Sequence, residues 1–242
     1  MNPLVSIVIP IYHDRAQIGS TIDSLAQFLK DEYLLGEIIV VNDGGDDGGA
    51  KIVLGKIQHY KMVRFINRDV NRGKGYTVRE GVSAAHGAYI FFTDADLPYT
   101  AMPVKKMLAL LQDGEADLTL ANRNLVASTE HKKANWLRGL THRIYSHFVR
   151  FFIPIPFTDT LAGLKGMTRD VATKLLPKLS IDRWSFDVEL LLAAQQAGFK
   201  IKQVAVSLKN VGQSNLQIHR DAPAMIKEIF TIWKQYRRGQ YN

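Results

Sequence analysis

The chain has 242 residues, of which 46% are hydrophobic and 22% charged, a composition typical of a soluble globular protein. It contains no cysteine, which excludes disulfides and thiolate metal sites and suits a reducing cytoplasm. No apolar run reaches the roughly 20 residues that span a bilayer, and the first ten residues lack the basic segment of a signal peptide.

The net charge of +8 is unevenly distributed along the chain. Residues 1–121 carry 12 Lys and Arg against 15 Asp and Glu, whereas residues 122–242 carry 19 against 8. This asymmetry indicates an anionic partner for the second half. Nucleic acid, anionic lipid and a phosphorylated substrate all fit at this point.

As far as residue 122, apolar runs typical of strands alternate with segments whose apolar residues have helical spacing. Predicted strands cover 4–10, 37–41, 62–67, 89–94 and 117–122, and the helices between them cover 17–30, 49–59, 75–86 and 104–112. This order predicts an α/β fold with a doubly wound, mostly parallel sheet and helices on both faces.

The second half is less regular. Short and longer helices are predicted at 171–176, 186–198 and 224–238, with a strand at 201–206. No internal repeat or linker is visible, so we expect a single domain over residues 1–242.

The most informative segment is the apolar run that ends in Asp94-Ala95-Asp96. Ligands of parallel sheets bind beyond the carboxyl ends of the strands. Mg²⁺ is commonly held there by one or two carboxylates together with substrate phosphates. The alternative is a turn or a helix N-cap, which aspartate also favours.

Polar groups also follow two other strands, at residues 10–14 and 42–45. Between them and the Asp-x-Asp segment, residues 71–75 place glycines on both sides of Lys74, just before a helix, where free N–H groups can bind an anion. The spacing is not that of a P-loop, and no strand leads into Gly-x-Gly-x-x-Gly, which argues against a nicotinamide or flavin site.

Taken together, five segments resemble the family 2 glycosyltransferases, whose nucleotide-binding α/β fold is called GT-A. The segments are 8–12, 40–44, 71–75, 94–97 and 183–190. The resemblance covers nearly the whole chain and is closest to the branch that makes polyprenyl-phosphate sugars, such as dolichyl-phosphate glucose and mannose synthases. It implies a nucleotide-sugar-binding half at 1–122 and an acceptor-binding half at 123–242.

The resemblance also implies roles for individual residues. The nucleotide sugar is assigned to Pro10, Ile11, Tyr12, Asp14, Asp43, Gly73, Lys74, Asp94 and Ala95. Asp43 is expected to bond the base, and Asp94 and Asp96 to hold Mg²⁺ or Mn²⁺ against the diphosphate. Catalytic roles fall to Asp187, Arg123 and Asp96, and acceptor binding to Arg143, Lys165 and Trp184.

Three segments depart from the family pattern. This chain has His13-Asp14 for Asn-Glu, Asn42-Asp43-Gly44-Gly45 for Asp-Asp-Gly-Ser, and Asp-Thr-Leu-Ala-Gly-Leu-Lys at 159–165 for Asp-Thr-Gln-Cys-Gly-Phe-Lys. The first two bear on the choice of base and sugar, and the third on the acceptor.

The expected reaction is inverting transfer of a hexose from a nucleotide sugar, UDP-glucose before GDP-mannose, to a polyprenyl phosphate at the cytoplasmic membrane face. A departing diphosphate needs the positive charge that a metal and cationic side chains supply. A phosphate acceptor is already anionic and needs little help from a base, whereas it does need Arg and Lys nearby.

Two other functions remain open. A transferase acting on a hydroxyl of a glycan or protein requires a general base, which Asp187 would supply. A basic nucleic-acid-binding protein fits the charge but lacks a recognisable motif, and acidic strand ends oppose it; we therefore expect no nucleic-acid partner.

Residues 135–152 alternate arginines with bulky apolar side chains. They form either an interfacial segment that docks on a membrane or an ordinary core-packing helix, and the same two interpretations apply to the last helix. Trp184 contacts the sugar or acceptor, or else packs as a core aromatic. Since Asp187 and Glu189 point in different directions on a helix, we assign only Asp187 to the site and expect Glu189 to be solvated or salt-bridged.

Overall fold

A computed structural model describes residues 2–97, 101–125, 145, 147–207 and 218–241, the last range without the side chains of 218–220. Its seven strands are β1 Val5–Ile11, β2 Gly36–Asp43, β3 Val63–Arg68, β4 Tyr89–Phe92, β5 Leu118–Asn122, β6 Lys165–Thr168 and β7 Ile201–Ala205. They form one sheet in the order β3-β2-β1-β4-β6-β5-β7. The pairs β1–β2, β1–β4, β2–β3 and β5–β7 are parallel, which confirms the predicted mostly parallel sheet.

Seven helices accompany the strands in the described part of the chain. They are α1 Arg15–Asp31, α2 Gly49–His59, α3 Lys74–Ala84, α4 Met102–Gln112, α5 Arg169–Leu175, α6 Phe186–Gln196 and α7 Ile218–Arg237. Residues 147–152 are also helical. The last helix begins before Pro223, whereas the sequence prediction began after it. None of these helices is both long and apolar enough to cross a membrane.

Strand β6 is the element that the sequence prediction missed. It runs antiparallel between β4 and β5 and pairs Lys165 with Phe92 at the carboxyl end of β4. Four residues that include a lysine and a glycine have no strand-like pattern, so only pairing with two neighbours identifies the segment as a strand. Its insertion carries residues 159–165 to the end of β4, beside Asp94.

Both faces of the sheet are covered, as the doubly wound prediction requires. Ile7 and Ile9 of β1 pack on the side of α1, α2 and α4, whereas Val8 packs on the side of α3, α5, α6 and α7. This alternation follows from the period of two along a strand. Helix α6 is buried on all sides over residues 186–194, so its two carboxylates also lie inside the protein.

Candidate functional site

The candidate site lies where β1, β2 and β4 end side by side. Strand register pairs Ile11 with Asn42, so the segments after β1 and β2 begin at the same edge. The Asn42 amide donates to Gly45 O (2.9 Å) and to Asn67 Oδ1 (2.8 Å), and Gly45 N donates back to Asn42 Oδ1 (3.1 Å). A carboxylate could not make the two donations, which explains why asparagine fits this departure from the family pattern.

The backbone adopts unusual conformations at this edge. His13 (φ 58°) and Leu97 (φ 37°) follow the ends of β1 and β4, and in the described residues only Tyr33 is another non-glycine with positive φ. Such conformations are held in place by surrounding structure and concentrate at functional sites. Leu97 N bonds Asp94 O (3.1 Å), so the Asp-x-Asp segment is a turn. The N-cap alternative is wrong, since α4 begins after Ala101.

Asp43 holds the loop before α3. Its Oδ1 accepts from Arg72 N (2.8 Å), its Oδ2 accepts from Gly73 N (2.9 Å), and the Arg68 guanidinium pairs with it. The amides of Arg72 and Gly73 are therefore taken by Asp43, whereas anion binding at the first residues of α3 stays a prediction. The predicted contact of Asp43 with the base stays a prediction.

The glycines beside Lys74 pack against the protein's own chain. A Cβ at Gly73, where φ is +103°, would overlap Asp182 O, and one at Gly75 would lie 2.5 Å from Ile181 O. Tyr76 N also donates to Asp182 O (3.0 Å). These contacts fix the Lys74 loop to the segment that leads through Trp184 into α6.

Asp94 lies at the centre of a group of cations. Lys74 Nζ is 2.7 Å from Asp94 Oδ1, and 35% of the Asp94 side chain is exposed. Burial raises the pKa of Asp94, but the positive charges of Lys74, Lys165 and Arg123 outweigh it and leave that pKa below its usual value. Asp94 is therefore an anion at neutral pH.

The residues at this turn suit a hard cation only in part. Asp94 and the partly buried Asp96 supply carboxylate oxygens from one turn, but among the residues that the structure describes no three His, Cys, Asp or Glu side chains converge as a metal site. A Mg²⁺ or Mn²⁺ ion would thus need oxygens from a ligand such as a diphosphate, which is the usual arrangement for Mg²⁺.

Arg123 directly follows β5 and is held by Asp159. The Arg123 backbone N and Nε donate to Asp159 Oδ2 (2.9 and 2.8 Å), and Nη2 donates to Oδ1 (2.5 Å). Asp159 is fully buried. This two-pronged contact fixes the plane of the guanidinium. Asp159 begins the segment 159–165 that departs from the family pattern, but its spacing from Arg123 gives no signal of the pairing, so its role was not predicted.

Lys165 and Asp187 form a buried ion pair. Lys165 Nζ donates to Asp187 Oδ1 (2.7 Å), Ala162 O (2.7 Å) and Thr160 O (3.0 Å). Burial lowers the pKa of Lys165, and the charge of Asp187 opposes that shift. All three Lys165 N–H groups are thus used internally, so the predicted acceptor-binding side chain lies beneath the site rather than on its surface.

Glu189 differs from its prediction. It is fully buried and accepts hydrogen bonds from the backbone amides of Ser180 (3.0 Å) and Ile181 (2.8 Å) and from the Tyr241 hydroxyl (3.0 Å). The expectation of a solvated or salt-bridged residue is wrong. Asp187 and Glu189 have different partners, as expected from their different directions on the helix.

The remaining predicted residues lie at the rim of the candidate site or are packed beneath it. Tyr12 is exposed at the rim, and its backbone N donates to Asp14 Oδ2 (2.8 Å). Ile11 and Ala95 are buried, and the Ala95 carbonyl accepts a hydrogen bond from the Thr21 hydroxyl (2.6 Å). Pro10 and Trp184 are partly buried. Arg143 lies outside the described residues, as do Trp136, Arg138, Leu140 and Ile144 of the 135–152 segment.

Solved structures identify the class of this fold. The chain matches glucosyl-3-phosphoglycerate synthase of Mycobacterium tuberculosis in complex with UDP at a TM-score of 0.70 and 19% identity, covering 98% of this chain and 80% of that one. Mannosyl-3-phosphoglycerate synthase of Rubrobacter xylanophilus matches at a TM-score of 0.71 and 16% identity, covering 98% and 75%. The fold is that of a GT-A glycosyltransferase.

Residues 6–176 match the family described as glycosyl transferase family 2, and the chain belongs to that family of glycosyltransferases. Similar proteins include the dolichyl-phosphate beta-glucosyltransferases of Dictyostelium discoideum and Mus musculus. They are 30% and 31% identical over 249 residues, which cover 98% of this chain and 76% and 77% of theirs. The predicted resemblance to that branch is confirmed.

Proposed function

We propose that the protein transfers a hexose from a nucleotide sugar to a polyprenyl phosphate. The observation that carries this proposal is the buried pair of Lys165 and Asp187. The carboxylate that would serve a hydroxyl acceptor as general base is already committed to a cation. A phosphate acceptor does not need that base, since its oxygens are anionic at neutral pH.

Cationic side chains of this protein would stabilise the negative charge on the departing diphosphate. Arg123, whose plane Asp159 fixes, and Lys74 at the edge of the same cluster would contact the phosphates. Asp94 and Asp96 would hold Mg²⁺ or Mn²⁺, which when bound neutralises charge on the diphosphate oxygens. Similar solved structures contain Mn²⁺ or Mg²⁺ with UDP, which supports this assignment.

The acceptor is assigned to the basic half of the chain, residues 123–242, and the donor to residues 1–122. Names of the similar dolichyl-phosphate beta-glucosyltransferases support a glucosyl donor and a lipid phosphate acceptor. UDP-glucose is the donor that we propose first, with GDP-mannose as the alternative. Direct displacement by the phosphate oxygen would invert the anomeric centre and give a β-linked product at the cytoplasmic membrane face.

The test compares two acceptors that differ only in the phosphate. The protein is incubated with labelled UDP-glucose or GDP-mannose, Mg²⁺ or Mn²⁺, and either a short polyprenyl phosphate or the matching polyprenol. We expect label in the organic extract with the phosphate and none with the alcohol. Label on the alcohol, or on no lipid with any donor, would reject the phosphate acceptor.

A further inference from the structure

A partly exposed apolar surface joins two helical segments of the second half. Phe148, Phe151 and Phe152 from residues 147–152 form a ring cluster with Phe230 of α7. Ile226 stands four residues before Phe230 on α7, and we name these five residues the aromatic face. Ring centroids are 4.8 Å apart for Phe152 and Phe230, 5.0 Å for Phe151 and Phe152, and 6.0 Å for Phe148 and Phe230. The four rings therefore form one cluster, and Ile226 lies on the same side of α7 as Phe230 because it is four residues away.

Part of this surface is open to solvent, although Phe148 and Phe152 are partly buried against the core. Phe151 is 82% exposed, Ile226 is 41% exposed and Phe230 is 39% exposed. Single exposed apolar side chains are normal on soluble proteins, but a contiguous aromatic group marks an interaction site.

Cationic side chains surround the same surface. Lys227, Lys234 and Arg237 stand three, four and seven residues from Phe230, so they share its side of α7, and all three are exposed. Exposed Arg150 precedes Phe151. The acidic residues of α7 point elsewhere, since Asp221 and Glu228 lie nine and two residues before Phe230, on the opposite side of the helix.

We propose that the aromatic face docks on the surface of an anionic lipid bilayer. Phe151 and Phe230 would enter the boundary between headgroups and acyl chains, while the flanking lysines and arginines contact lipid phosphates. A second copy of the chain fits poorly, because pairing two such faces would bring like charges together. This inference rests on the proposed lipid acceptor, which supplies the reason to approach a membrane.

The aromatic face is connected to the candidate site. Ser185, at the start of α6, donates its backbone N–H to Glu228 of α7 (3.0 Å). Its hydroxyl lies 3.3 Å from the Tyr145 hydroxyl. Asp187 follows two residues later on α6. Docking through the aromatic face would therefore place α7 between the bilayer and the start of α6, since Glu228 and Phe230 lie on opposite sides of that helix.

The apolar part is tested by sedimentation of the full chain with vesicles of phosphatidylcholine, with or without phosphatidylglycerol. The double variant Phe151→Ser/Phe230→Ser should bind anionic vesicles about tenfold more weakly, because insertion is lost. Leu54→Ser is the matched control, since Leu54 is an apolar side chain 55% exposed on α2. It should bind as the wild type does, and thermal unfolding checks that each variant folds.

The charged part is tested with Lys227→Gln/Lys234→Gln/Arg237→Gln against a control that replaces three exposed lysines of the first half, Lys51, Lys61 and Lys106, with glutamine. Only the former should lose binding and salt dependence, although net charge falls equally in both. Equal losses would show non-specific charge attraction and overturn the proposal.

The two proposals fail in different ways. Wild-type protein that glycosylates a short soluble polyprenyl phosphate but ignores anionic vesicles would overturn the docking surface and leave the reaction intact. Vesicle binding without lipid glycosylation would overturn the proposed reaction and leave the docking surface intact. Concentration-dependent dimers that the Phe151→Ser/Phe230→Ser variant abolishes, without vesicle binding, would assign the face to a second copy instead.

Discussion

Lys165 and Asp187 face each other at 2.7 Å with 0% and 4% of their side chains exposed. A buried pair of this kind adds little net stability compared with an apolar pair, but losing one partner leaves an uncompensated charge. The pair therefore fixes the start of α6 against residues 160–165, and it removes Asp187 from solvent.

Replacement of Lys165 tests that pairing. Lys165→Met should lower the free energy of unfolding by about 3–5 kcal/mol, because Asp187 is left buried without its cation. Lys165→Met/Asp187→Leu should recover most of that loss, as measured by urea unfolding. A double variant that costs the sum of the two single changes would show that the residues act independently.

Asp187→Asn distinguishes the two acceptor chemistries. General base catalysis contributes about 10²–10⁴-fold to rate, so a hydroxyl acceptor predicts a loss in that range. A phosphate acceptor predicts a smaller loss in kcat and an unchanged pH profile. Initial rates with saturating donor and acceptor over pH 5–9 check this, with unfolding curves as the control for Lys165 left unpaired.

Asp96→Ala should remove most activity, by about a hundredfold or more, because charge on the departing diphosphate loses its stabilisation. Mn²⁺ titration by electron paramagnetic resonance, with UDP present, should show weaker binding of the ion. Asp113→Ala, which removes an exposed carboxylate after α4, is the control and should leave both unchanged. Near-normal turnover in Asp96→Ala would contradict the metal assignment.

Asp94 contributes to the loss of stability in acid. Its pKa in the folded protein lies below the usual value of an aspartate, because nearby positive charge outweighs the effect of burial. Its ion pair with Lys74 therefore contributes its full stabilisation above that usual value. The contribution is lost as the pH falls through the folded-state pKa. Lys74→Met should move the pKa of Asp94 upward, since the nearest positive charge is gone. Carboxyl chemical shifts from pH 2 to 7 measure the change, and an unmoved pKa would reject the pairing.

Gly163→Ala tests the close approach between residues 159–165 and Asp94. A Cβ at Gly163 would overlap Asp94 Oδ2, so we expect a loss of about 1–3 kcal/mol in stability and weaker binding of the nucleotide. Gly55→Ala is the matched control, because no atom lies within 4 Å of its added Cβ on α2. It should stabilise the helix by about 0.5–1 kcal/mol.

The sequence by itself determined six of the seven described strands and approximately where each one ends. Strands of a parallel sheet are buried on both faces, so each one has a continuous apolar sequence. The apolar runs at residues 4–10 and 37–41 therefore indicate strands without any knowledge of their neighbours. Because parallel strands end at one edge, the sequence also predicted that the segments after β1, β2 and β4 would meet there.

Only the tertiary structure decided how those side chains are used. Strand β6 is held by its two neighbours, and the oppositely charged partners of Asp43, Arg123 and Lys165 stand 22 to 36 residues away in the chain. Glu189 finds its partners in the loop before α6 and at Tyr241. A buried charge needs a partner of opposite charge or a hydrogen bond. Folding brings those partners from distant parts of the chain, and this decides which carboxylates remain open to a ligand.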